Sequence, residues 1–104
     1  MILEKIIDAI LQGKFRFTSH SFEEMSNDNL EESDILFSTA RGEVIENYPT
    51  LKPFPACLVL GWSRTGVPLH TVWAFNDPND LAILITTYIP SEKKWNKGFK
   101  ERKK

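Results

Sequence analysis

Three runs decide the fold: Ala56–Trp62 (ACLVLGW), Val67–Phe75 (VPLHTVWAF) and Leu81–Ile89 (LAILITTYI). Each is rich in β-branched and aromatic residues and spans the length of an ordinary strand. Between them lie Ser63-Arg64-Thr65-Gly66 and Asn76-Asp77-Pro78-Asn79-Asp80, both strong turn sequences. Loops this short join antiparallel neighbours, so the runs read as a meander with His70 on its central strand. Pairing Trp62 with Val67, and Phe75 with Leu81, sets His70 beside Val59 and Thr86. One face then carries Leu58, Leu60, Trp62, Leu69, Thr71, Trp73, Phe75, Leu81, Ile83, Ile85 and Thr87, an apolar wall for helices to cover. The other carries Cys57, Val59, Gly61, His70, Val72, Ala74, Ala82, Leu84, Thr86 and Tyr88. A slip of one residue would exchange the faces.

Before the meander, Leu3, Ile6, Ile7, Ile10 and Leu11 recur at helical spacing, and Gly13 stops the helix. Phe15-Arg16-Phe17-Thr18 alternates as a short strand. Ser21-Phe22-Glu23-Glu24 matches a capping box, predicting a helix from Ser19–Ser21 with Phe22 and Met25 turned inward. A third helix follows Leu30, its start favoured by Glu31, Glu32 and Asp34 and its inner stripe formed by Ile35, Leu36, Thr39 and Ala40. Glu43–Tyr48 is strand-like. Pro49, Pro53 and Pro55 stiffen the loop after it. Beyond Pro90, Ser91 is placed to cap a short helix carrying Trp95 and Phe99. The pattern predicts one α+β domain over residues 1–104, with N-terminal helices on a twisted antiparallel sheet and a basic tail over 93–104.

Composition supports a packed globule: 104 residues, 41% hydrophobic and 26% charged. A lone Cys57 allows no internal disulfide and reads as a small buried hydrophobe. Glu4 and Asp8 interrupt any apolar leader, and the run Leu81–Ile85 is too short for a membrane span, which points to the cytoplasm. The net charge of −1 conceals an asymmetry. Residues 1–50 hold 10 acidic and 4 basic side chains, whereas residues 51–104 hold 4 and 9. Seven of those nine cations fall between Lys93 and Lys104. Such a tail attracts polyanions or simply stays solvated.

Two histidines carry what acid–base chemistry the chain offers near neutral pH. His20 lies one helical turn before Glu24, which can orient its ring. His70 projects from the central strand, in a polar row with Thr86 and Tyr88 on the mixed face. The plainer reading makes both histidines structural: a first-turn residue bonded to its neighbour, and a satisfied core imidazole. No HExxH, CxxC or aspartate-rich calcium loop occurs. His20, Glu24 and His70 could hold a metal only if the fold united them, so neither metal nor cofactor is expected.

The order of these motifs resembles the bacterial family called domain of unknown function 4258. Phe17-Thr18-Ser19-His20, Gly42-Glu43-Val44-Ile45-Glu46-Asn47-Tyr48-Pro49, Leu58-Val59-Leu60-Gly61, Pro68-Leu69-His70-Thr71-Val72 and Ile85-Thr86-Thr87-Tyr88-Ile89-Pro90 carry the resemblance, followed by Trp95 and Phe99. That family looks like a relative of the RelE and barnase type of small toxin endoribonuclease. The resemblance implies helices followed by a sheet that bears the active site, with RNA as substrate and a cognate antitoxin or other protein as partner. It marks His20, His70, Thr86 and Tyr88 as the catalytic positions. Family members often carry arginines in the helix after the His20 motif; here Glu24-Met25-Ser26-Asn27-Asp28 stands instead. The cationic role falls to Lys93, Lys94 and Lys97 only if the tail folds across the site. Two functions are thus open: metal-independent RNA cleavage by histidine acid–base catalysis, or a non-catalytic module of the same fold that binds a protein or a polyanion.

Overall fold

The computed structural model describes residues 1–104 in full. It comprises α1 (Ile2–Leu11), β1 (Phe15–Phe17), α2 (Ser19–Asn27), α3 (Glu32–Ala40), β2 (Glu43–Tyr48), β3 (Ala56–Trp62), β4 (Pro68–Asn76) and β5 (Leu81–Tyr88). The strands form one sheet in the order β1-β5-β4-β3-β2. The meander and β2 are antiparallel, but β1 runs parallel to β5. The sheet is therefore mixed, which corrects the all-antiparallel expectation. A short alternating segment shows that it is a strand, but not which distant edge it joins.

The register also differs from the expected one, for a local reason. Ser63 N–H donates to Val67 O (2.9 Å), and Gly66 adopts φ +85°. The connection is a three-residue loop, Arg64-Thr65-Gly66, with glycine in the left-handed position that such loops require. Trp62 consequently faces Pro68 and Leu60 faces His70. The faces of β3 are exchanged relative to β4. Cys57, Val59 and Gly61 join Leu69, Thr71 and Trp73 against the helices, while Leu58 and Leu60 lie on the His70 side.

At the next turn Asn76 pairs with Leu81, again one residue off expectation. A bulge then intervenes: Val72 faces Thr86, whereas Trp73 faces Leu84. The extra residue, Ile85, restores the expected parity at one end of β5. Ala82 and Leu84 join the helix-facing core, while Thr86 and Tyr88 stay on the face of His70.

The principal core packs Leu3, Ile6 and Ala9 of α1, Met25 of α2 and Ile35 of α3 on Cys57, Val59, Leu69, Trp73, Phe75, Ala82 and Leu84. The inner stripe of α3 is Ile35, Ser38 and Thr39, and Ala40 is exposed. Thr39 Oγ1 accepts from Trp73 Nε1 at 3.0 Å, satisfying the indole of a wholly buried tryptophan. Gly61 admits α3 at close range: a Cβ there would stand 2.1 Å from Ser38 O. The space at Gly61 is thus filled by a helix rather than left for a ligand. On the opposite face a smaller apolar group, Ala56, Ala74 and Ile83, lies under Tyr48 and Phe54.

Two further expectations are corrected. The cap of α2 is Thr18, whose Oγ1 accepts from Ser21 N (3.1 Å), while Ser21 is buried and Phe22 is half exposed beside Phe17. Residues 91–104 contain no helix. One turn forms, with Ser91 O accepting from Trp95 N (3.0 Å). The backbone then reverses through Gly98 (φ +92°) and Phe99 (φ +62°), conformations incompatible with a right-handed helix. Trp95 pairs with Arg102 in an antiparallel bridge.

Candidate functional site

Because β1 ends at Phe17, the outer edge of β5 is unpaired from Thr86 onward. Helix α2 begins at this edge: Thr18 N and Oγ1 donate to Leu84 O (3.2 Å) and Ile85 O (3.1 Å). The helix then carries Glu24 to the open stretch of strand. Glu24 Oε1 accepts from the Thr86 hydroxyl and from Thr87 N (3.4 Å), so the carboxylate replaces the missing strand partner. The same oxygen lies 3.1 Å from His20 Nε2, one helical turn earlier. Three sequence-predicted residues, His20, Glu24 and Thr86, thus meet at one carboxylate oxygen, and Glu24 Oε2 makes none of these bonds.

Glu24 forms one wall of a cleft of about 470 Å³ completed by Tyr88, Ile89, Ser91, Lys94, Trp95 and Arg102. Lys94 is free of ion pairs, whereas Arg102 binds Glu46 through two nitrogens, at 2.9 and 3.1 Å. That bond holds the Glu46 carboxyl below its usual range and pushes the Arg102 guanidinium upward. Lys93 and Lys97 lie outside the cleft.

His70 is placed differently. It is buried, with the rings of Trp95 and Tyr88 set edge-to-face against it at centroid distances of 4.4 and 5.2 Å. Nε2 stands 2.8 Å from Phe99 O, and Nδ1 stands 3.1 Å from the Tyr88 hydroxyl. A carbonyl only accepts, so Nε2 carries a proton and Nδ1 of the neutral ring receives the phenol hydrogen. Burial pushes the pKa of His70 down, and burial also pushes that of Tyr88 up. His70 therefore sits behind Tyr88 as a neutral, twice-bonded imidazole, and it does not line the cleft.

The two histidines are not brought together: His20 is exposed on α2, and Glu24 and Thr86 connect it to the strand beside Tyr88. No three of the His, Cys, Asp and Glu side chains gather into a metal-ligand group. Cys57 is buried in the core, where desolvation raises its thiol to about 11.

Sequence reasoning missed Ser91, Arg102 and Glu46. Arg102 is one of seven cations in the last twelve residues, and nothing local sets it apart. Its position follows from the 98–99 reversal, which returns it over Trp95 with the guanidinium 4.6 Å from the ring centroid.

Residues 17–89 match the family model described as Domain of unknown function (DUF4258). The chain belongs to this family. The DUF4258 span contains His20, Glu24, His70, Thr86 and Tyr88, and it stops at Ile89, just before the segment that closes the cleft. No curated protein matches the chain, and no solved structure does.

Proposed function

We propose that the chain cleaves RNA by metal-independent acid–base chemistry in the cleft between α2, the end of β5 and the C-terminal segment. One observation carries this reading: the His20 imidazole contacts (3.1 Å) the carboxylate of Glu24, which lines a cleft that also presents a phenol and two cations. Glu24 takes the proton of a ribose 2′-hydroxyl as its oxygen attacks the adjacent phosphorus. The bond from phosphorus to the 5′-oxygen breaks, and the protonated His20 gives that oxygen a proton. The products are a 2′,3′-cyclic phosphate and a 5′-hydroxyl. Contact between the pair then lets the proton return from Glu24 to His20. Lys94 and Arg102 bear on the phosphate, where negative charge accumulates. Thr86 and Tyr88 position the carboxylate and the substrate. His70 is a positioning residue in this scheme, holding the Tyr88 hydroxyl. The arrangement supports the toxin-ribonuclease likeness while moving the acid–base work from the His20–His70 pair to His20 and Glu24.

The test is cleavage of labelled RNA, free and ribosome-bound, by the wild type, Glu24→Gln and His20→Ala. We expect both substitutions to slow cleavage by about 100-fold or more, with an unchanged circular-dichroism spectrum and cyclic-phosphate ends on the wild-type product. Wild-type protein that cuts neither RNA, or variants that cut as fast as wild type, would overturn the reading in favour of a binding module.

A further inference from the structure

A second cationic feature stands apart from the cleft. Arg41, which follows α3, and Arg64, in the β3–β4 loop, both place their guanidinium carbons on the ring of Phe37, at 4.1 and 4.7 Å from its centroid. Both arginines are exposed, Phe37 is half-buried, and neither arginine pairs with a carboxylate. The other two ionic arrangements that involve Glu43 and Glu46 take up Lys100 and Arg102, leaving Arg41 and Arg64 as neighbouring like charges. Phe37 offsets part of that repulsion through its π face and holds the two forks in place. Paired guanidiniums with their donors unspent are suited to bidentate binding of a phosphate.

Position adds to the argument. The register puts the start of β4, the ends of β3 and β5, and the beginning of β2 at one end of the sheet. The cleft lies at the β5 side of that end and the Arg41–Phe37–Arg64 stack at the β3 side. They also lie toward opposite faces, since α3 packs on the side of Gly61 and Trp73 whereas Trp95 and Arg102 lie on the side of His70, so the path between them runs round the end of the sheet. A single-stranded polynucleotide crossing this end can contact both.

We infer that Arg41 and Arg64, stacked on Phe37, form a phosphate-docking site that holds single-stranded RNA beside the cleft. The inference rests on the RNA reading of the preceding section and adds to it a binding site outside the acid–base machinery. Two successive phosphodiesters can each pair with one of the arginines, and the partly open ring leaves an edge for base contact. An acidic protein segment offers carboxylates to the same forks, but it would have no reason to continue into the cleft.

The experiment measures binding without requiring cleavage. A fluorescein-labelled, mixed-sequence 12-nucleotide RNA is titrated by anisotropy with Glu24→Gln protein, with and without Arg41→Gln and Arg64→Gln, at several salt concentrations. We expect the double substitution to weaken binding about tenfold and to lower the slope of log K against log salt by about 1.4, the release expected for two phosphate contacts on a single strand. Cleavage by protein that retains Glu24 should show a raised KM and an unaltered kcat. Unchanged affinity and slope would overturn the inference whether or not the protein cleaves RNA. So would an unchanged RNA affinity together with weakened binding of a labelled poly-glutamate peptide, which would assign the site to a protein partner. If binding falls as expected but the wild type cuts no RNA, the docking site stands and the catalytic reading fails.

Discussion

His70 looks like a catalytic histidine in the sequence and is held like a structural one in the fold. Its burial lowers the folded pKa below the ordinary 6.5, so on acidification the unfolded chain gains its proton first. Stability is then full above about pH 6.5, falls as pH drops below that value, and stops falling once the folded imidazole is also protonated. Urea unfolding should show a midpoint that declines between pH 7 and 5, and His70→Gln should flatten that decline. An equally steep decline in the variant would show that another group is responsible. Glu46 acts in a lower window. Arg102 depresses its carboxyl from 4.5, so its contribution is present above about pH 4.5 and is lost as pH falls through the folded value. Sequence alone set His20 beside Glu24, since one turn of helix separates them. It could not tell that Trp95 and Phe99 would enclose His70, because that contact depends on a chain reversal 28 residues away.

At the scale of elements, the C-terminal segment is fastened by side chains more than by backbone ladders. Trp95 is 2% exposed and lies between His70 and the Arg102 guanidinium. Lys100 meets Glu43 at 2.9 Å, and Arg102 meets Glu46. These surface ion pairs contribute little each, so the indole is the principal fastening. Trp95→Ala should lower the unfolding free energy by about 3–5 kcal/mol, read from urea titration. A loss no larger than that of Lys100→Ala would refute this assignment. The element boundaries themselves were legible: α1, β2 and the meander lie within a residue or two of their expected limits. The faces were less so. Register turned on whether the loop after Trp62 has three or four residues, and Gly66 decides that through its positive φ. At Thr86 and Tyr88 the shifted turn and the Ile85 bulge cancelled, so the polar row with His70 survived an incorrect pairing.

For the whole molecule, the sheet orders the parts by how well they are held. Strand β4 is paired on both sides, whereas residues 93–104 touch the body through a few side chains and Phe99 O. Amide hydrogen exchange should be slowest in β3–β5 and faster by about 100-fold or more in 93–104; equal protection would mean that the segment opens only with global unfolding. No helix is long and apolar enough to cross a membrane. The mixed topology has a further consequence, for the making of the protein. Thr18 bonds to Ile85, 67 residues later, and the apolar stripe of α1 packs on strands that follow it. As the chain is synthesised, the first helix and strand emerge with nothing to cover them, and they dock only when β5 has left the ribosome. Such long-range closure slows folding and leaves Leu3, Ile6 and Phe17 open to chaperones in the interval. The edge strand β1 is therefore made well before the strand it pairs with.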